Sequence, residues 1–113
     1  MVAMNYIPDR GHIVWLTFNP QAGHEQTGRR PVVVLSPKEY NIKTGLAVMC
    51  PITSVVKNYP FEVLLPDRLP VKGIILSDQV KNLDWKIREA DFCCKIGDDI
   101  MEDVLAKLKV LLF

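Results

Sequence analysis

Two short apolar runs bracket a polar one near the start of the chain, and this pattern constrains the fold more than any other feature. Ile13-Val14-Trp15-Leu16-Thr17-Phe18 is largely apolar on both alternating faces, and Val32-Val33-Val34-Leu35 is apolar throughout. Runs this short, rich in β-branched and aromatic residues, read as strands buried on both sides. Between them lies Gly23-His24-Glu25-Gln26-Thr27-Gly28-Arg29-Arg30-Pro31. Two glycines and a proline punctuate it, so it reads as a polar loop running to about Arg30, held between rigid strands. Loops fixed in this way commonly carry chemistry.

The same punctuation continues. A strand over 12–18 ends at Asn19-Pro20, and a second over 31–35 ends at Ser36-Pro37, where Ser36 can cap one helical turn with Pro37 at its first position. Leu46 to Ile52 is a third strand, running directly into Thr53-Ser54. Tyr59 to Leu65 is a fourth, with Phe61, Val63 and Leu65 on one face and Glu62 on the other. Pro66 to Pro70 is a turn, Gly73 to Leu76 a fifth strand, and Trp85 to Arg88 and Asp91 to Ile96 short further strands. Many short strands with regular turn signals predict a small β-barrel.

The end of the chain has a different period. Ile100, Met101, Val104, Leu105, Leu108, Leu111 and Leu112 recur at helical spacing, which predicts a helix over 99–111. Asp99 with Glu102 three residues later forms an aspartate version of the capping box, and Lys107 and Lys109 lie toward the negative end of the helix dipole. The apolar stripe is read as the cover over the open side of the barrel.

With 113 residues the chain is expected to be one domain, 1–113. Hydrophobic residues at 49% can build a core, and no apolar run reaches the ~20 residues of a membrane helix. The first ten residues lack the apolar centre of a signal peptide, so the expected location is the cytoplasm. Cys50, Cys93 and Cys94 are odd in number, two of them adjacent, and with His12 and His24 they match no zinc spacing. They are read as buried, reduced thiols, with no metal and no cofactor. Net charge is only +1, but Asp98, Asp99, Glu102 and Asp103 crowd the last segment, leaving residues 1–97 at a net +3. That balance suits short contacts to single-stranded nucleic acid better than wrapping of a duplex.

An ordered set of words resembles the MazF/PemK (Kid) family of type II toxins. They are Asn19-Pro20, Gly23-His24-Glu25-Gln26, Gly28, Arg30-Pro31, Leu35-Ser36-Pro37, Tyr40-Asn41, Lys43-Thr44-Gly45, Pro51-Ile52-Thr53-Ser54, Tyr59-Pro60-Phe61-Glu62-Val63 and Asp78-Gln79-Val80-Lys81. They cover nearly the whole chain in order. The resemblance implies an SH3-like barrel, a strongly bent antiparallel sheet with a C-terminal helix, that forms a homodimer. It implies a metal-independent, sequence-specific endoribonuclease that cuts single-stranded mRNA and stops growth. It also implies a MazE/PemI-like antitoxin whose extended acidic segment covers the active groove.

Such cleavage uses the ribose 2′-hydroxyl as nucleophile and leaves 2′,3′-cyclic phosphate and 5′-hydroxyl ends. It needs a proton acceptor, a proton donor, and cationic or hydrogen-bonding groups around the crowded phosphorus. Arg30 is the first candidate, because a guanidinium fork matches phosphate oxygens and the family's catalytic arginine falls on this Arg-Pro position. Thr53 is the second, at a strand end in the family's Pro-x-Thr word. Glu25 and His24 complete the catalytic set, as candidates for proton transfer or for orienting the arginine. Ser54, Lys57, Phe61, Asp78, Gln79 and Arg29 are the candidate RNA contacts. In the PemK/Kid branch an Arg-x-Asp pair supplies acid and base; Asp78 matches the aspartate, but Leu76 stands at the arginine position. That departure moves the chain toward the MazF branch. A CcdB-like toxin that binds DNA gyrase, and a non-catalytic RNA- or protein-binding barrel, are the alternatives on the same fold.

Overall fold

A computed structural model describes residues 6–18 and 28–113. Among the described residues seven strands and two helices follow in order: β1 His12–Phe18, β2 Gly28–Val34, α1 Lys38–Thr44, β3 Leu46–Thr53, β4 Glu62–Leu64, β5 Ile74–Leu76, β6 Lys81–Asp84, β7 Asp91–Lys95 and α2 Asp98–Leu112. All pairings are antiparallel, in the spatial order β4-β5-β3-β2-β1-β7, with β6 also on β3. This is the expected bent antiparallel sheet with a C-terminal helix. The sheet does not close, because β4 pairs only with β5 and β7 only with β1 among the described residues.

Strand β3 is the hinge of the architecture. Its first half pairs with β6, from Leu46↔Asp84 to Met49↔Lys81, and its last two residues pair with β5, as Ile52↔Ile75 and Thr53↔Ile74. The segment 77–80 crosses between these two partners, and along the other edge β3 pairs with β2 from Val34↔Met49 to Val32↔Pro51. Two apolar clusters fill the two sides of the bent sheet. One gathers Ile13, Val33, Cys50, Ile52, Val63 and Ile75 with Met101, Val104 and Leu108 of α2; the other gathers Val14, Leu16, Val32, Val34, Met49 and Trp85. The strict alternation along β1 and β2 explains why both faces read as apolar. The α2 stripe is core packing, as its period predicted.

Several local expectations are corrected. Residues 85–88 form a turn, and the strand lies one step earlier at Lys81–Asp84. The Asp84 carboxylate accepts the N–H groups of Lys86 at 3.0 Å and Ile87 at 2.9 Å, which folds the chain back. Trp85 is buried by that turn, with its Nε1–H donating to the Asn41 carbonyl at 3.0 Å. The polar loop ends before Gly28, because β2 extends back to that residue and carries Arg29 and Arg30 within it. The fourth strand contracts to Glu62–Leu64.

Helix α1 is longer than one turn, and Ser36 does not cap it. Instead Ser36 Oγ donates to Asn41 Oδ1 at 2.6 Å and accepts the Val48 N–H at 2.8 Å, while Asn41 Nδ2 donates to the carbonyls of Pro8 and Ser36. Helix α2 starts one residue before its predicted start, with Gly97 at the N-cap and no side-chain cap. Asp98 and Asp99 thus sit in the first turn, where they favour the helix through its dipole and not through a capping box. Of the three free thiols, Cys50 is buried as expected, whereas Cys93 and Cys94 are only half-buried.

Candidate functional site

The site lies where β5 and β6 part along β3. The β2–β3 ladder runs through Val32↔Pro51, and extending it by two residues sets Arg30 opposite Thr53. Both residues line a cavity of about 340 Å³, with Pro51 and Ile52 from β3, Leu76 from β5, Gln79 from the crossing segment and Lys81 from β6. Both also line a second concavity of about 310 Å³, shared with Trp15, Arg29, Ser54 and Lys72. Arg30 and Thr53 therefore form the ridge between two hollows. Arg30 and Lys81 bring positive charge to the first hollow, Arg29, Arg30 and Lys72 to the second, and the described lining of neither contains a carboxylate.

Local structure fixes these groups. Arg30 sits inside β2 opposite Leu16, one residue before Pro31, so its backbone is held by β1 and by the ring of the next residue. Among the described residues it makes no ion pair. Its neighbour Arg29 is engaged instead: Nη2 meets the Asp91 carboxylate at 2.6 Å, and Nη1 donates to Thr17 Oγ1 at 2.7 Å. Strand alternation thus divides two adjacent arginines, one tied across the sheet and one that forms no ion pair among the described residues.

Thr53 ends β3, and its Oγ1 accepts the Val55 N–H at 3.2 Å, which leaves its own O–H able to donate outward. The chain beyond is pinned by Glu62, whose carboxylate accepts the N–H groups of Lys57 at 3.1 Å and Asn58 at 2.9 Å. Asn58 adopts a left-handed φ of 63° to make this turn. Behind Thr53 runs Gly73 at φ 120°, so close that a Cβ there would collide with the Thr53 carbonyl.

The sequence-predicted residues thus divide. Arg30, Thr53 and Gln79 come together at the first hollow, and Ser54 and Arg29 join Arg30 and Thr53 at the second. Lys57 is exposed on the pinned segment beyond Thr53, and Asp78 is exposed beside Gln79. Asp78 lies near enough to Cys50 to add to the effect of burial, which pushes that thiol up to about 12. Phe61 is half-buried, with its carbonyl accepting the Ser77 N–H at 3.1 Å, and it lines neither hollow. His24 and Glu25 lie outside the described residues. Leu76 makes an apolar wall of the first hollow, where the PemK/Kid pattern would place an arginine.

Sequence reasoning passed over Lys81, Lys72, Glu62 and Gly73. Lys81 was legible only as the last residue of the Asp78-Gln79-Val80-Lys81 word, where its basic side chain follows Gln79 closely in the chain. Glu62 and Gly73 were not. Their work is done on backbone groups of Lys57, Asn58 and Thr53, which only the folded chain brings near.

Comparison with known proteins agrees with this picture. A family described as PemK-like, MazF-like toxin of type II toxin-antitoxin system matches residues 9–112. The chain is 42% identical over 107 residues to the endoribonuclease toxin MazF of Escherichia coli K12, covering 95% of this chain and 96% of that protein. It is 34% identical over 109 residues to the Escherichia coli endoribonuclease PemK, covering 92% of this chain and 81% of that one. Among solved structures, MazF from Deinococcus radiodurans superposes with a TM-score of 0.87 at 53% identity, covering 96% of this chain and 98% of that one. A MazE–MazF structure from the same organism gives 0.89 at 50% identity, covering 95% and 97%. The chain belongs to the PemK-like, MazF-like toxins of type II toxin–antitoxin systems.

Proposed function

We propose that this chain is an endoribonuclease toxin that cuts single-stranded mRNA at a short sequence and thereby stops translation and growth. The observation that carries the reading is the Arg30–Thr53 ridge between two hollows lined by cations, with no carboxylate in their described lining. Such a ridge suits a polyanion threaded across it, with one phosphate on the ridge and its neighbours in the hollows.

In this mechanism the ribose 2′-oxygen attacks the adjacent phosphorus in line, the bond to the 5′-oxygen breaks, and a 2′,3′-cyclic phosphate and a 5′-hydroxyl result. The Arg30 fork and the Thr53 hydroxyl hold the non-bridging oxygens as charge grows on them. Arginine keeps its proton in proteins, so Arg30 is assigned charge stabilisation and not proton abstraction. Glu25 and His24 are assigned the proton transfers and the orientation of Arg30. An unpaired base enters the first hollow against Leu76 and Leu83, with Gln79 reading its edge; Ser54, Lys57, Phe61, Asp78 and Arg29 serve the neighbouring nucleotides. The same cationic surface receives the acidic segment of a MazE-like antitoxin, and two copies of the chain form the active dimer in the cytoplasm.

The test is cleavage of a long unstructured RNA by purified protein in EDTA, with cut sites and end chemistry mapped. Discrete cuts at one short motif with 5′-hydroxyl ends are expected, and Arg30→Ala should lower the rate on the order of 10²–10³-fold with the fold intact. Intact RNA of varied sequence, with inhibition of gyrase supercoiling instead, would replace this reading with that of a gyrase-binding toxin.

A further inference from the structure

Away from this ridge, β7 holds a pair of nucleophilic side chains that RNA cleavage does not use. In the β1–β7 ladder Ile13 pairs with Cys94 and Val14 with Phe92, so Cys93 is an extra residue with no partner of its own, a β-bulge. Successive residues of a regular strand face opposite sides of the sheet. Here Cys93 and Cys94 both pack against the cluster that contains Ile13 and Trp15, while Phe92 lies on the opposite face, its ring 4.8 Å from that of His12. The bulge therefore turns two adjacent thiols to one side. Burial, with the neighbouring Cys93 thiol adding to it, pushes the Cys94 thiol up to about 12.

Both residues are half-buried, so the bulge is partly open to solvent. Among the described residues the strand that carries them is paired on one side only, which lets the bulge adjust. The remaining thiol, Cys50, is fully buried on β3 and cannot compete.

We propose that Cys93 and Cys94 form a dithiol site that binds trivalent arsenicals as a two-sulfur chelate. The reagent is an arsenoxide of the form R–As=O. Two As–S bonds form, the arsenic–oxygen bond is lost, and the oxygen leaves as water carrying both thiol protons. Arsenic remains trivalent, so no oxidant or reductant is required. Two sulfurs on one short segment act at high effective concentration, and the second bond makes the adduct resistant to exchange. The thiolate is the attacking form, so the rate should rise with pH.

The test is incubation of the full folded chain with phenylarsine oxide, followed by thiol titration and intact mass measurement. One arsenic per chain, with two thiols lost, is expected. Dimercaptopropanol should reverse the adduct, and a monothiol at the same concentration should not. Cys93→Ser and Cys94→Ser, each checked by thermal melting to be folded, should lose the monothiol-resistant adduct; Cys93→Ala repeats the test if the serine variant melts early. Uptake only after denaturation, or an adduct that persists in either single variant, would overturn the assignment.

Discussion

Two adjacent residues of one type, Arg29 and Arg30, end in different environments because a strand alternates its faces. The Arg29–Asp91 contact at 2.6 Å ties β2 across to β7, while Arg30 is left to the ridge. The same scale decides Gly73. Its φ of 120° and its closeness to the Thr53 carbonyl leave no room for a methyl group. Gly73→Ala should cost at least about 2 kcal/mol in denaturant melts and should also lower RNA cleavage, since the displaced backbone is that of Thr53. Ser77 gives the opposite expectation. It is fully buried, and its Oγ has no hydrogen-bond partner among the described residues. Ser77→Ala removes an unsatisfied hydroxyl, so stability should stay unchanged or rise by up to about 1 kcal/mol, read from the urea midpoint.

Among the elements, β3 does the most to create the site, because it exchanges β6 for β5 along one edge and opens a gap that the segment 77–80 spans. The connection from β3 to β4 is held by one carboxylate accepting two backbone N–H groups, which makes Glu62 a positioning residue for Ser54 and Lys57. Glu62→Ala should raise KM for RNA several-fold with a smaller change in kcat, and Glu62→Gln, which keeps one acceptor oxygen, should fall between. Loss of stability should be about 1–2 kcal/mol, since the two bonds are charge-assisted but exposed. Equal losses in kcat and KM effects across both variants, or none at all, would remove Glu62 from this role. Helix α2 illustrates a different lesson: its period was plain in the sequence, but its cap was not. Gly97 takes the N-cap and both aspartates act through the dipole.

At the scale of the whole molecule, one half-buried imidazole ties the N-terminal segment to the sheet. His12 Nδ1 accepts the Tyr6 hydroxyl at 2.8 Å and lies 3.3 Å from the Asp9 N–H, so the ring is bound in its neutral form. Burial holds its pKa below the ordinary 6.5, Lys95 and Lys38 add to this, and the Asp9 carboxylate opposes it. A histidine whose folded value is depressed binds its proton more readily when unfolded. The stability it contributes is therefore present above about 6.5 and is lost as pH falls through that value toward the folded one. Thermal midpoints measured from pH 7.5 down to 5.5 should decline, and His12→Gln should flatten that part of the profile.

The sequence by itself determined the strands β1, β3, β5 and β7, the apolar part of β2, the helix α2, and the ordered words that mark the family. These follow from local period and punctuation, which act over a few residues. It also named Arg30, Thr53 and Gln79 as candidates from residue type and position in a word, and the fold brings these three to one hollow. Only the tertiary structure decided that Arg30 lies in a strand and not a loop, that Asp91 takes Arg29, that Glu62 and Gly73 shape the backbone around Thr53, and that a bulge turns Cys93 and Cys94 to one side. Each of these depends on contacts between residues far apart in the chain or on the register between two strands. Register shifts a side chain from one face to the other without changing a letter of the sequence.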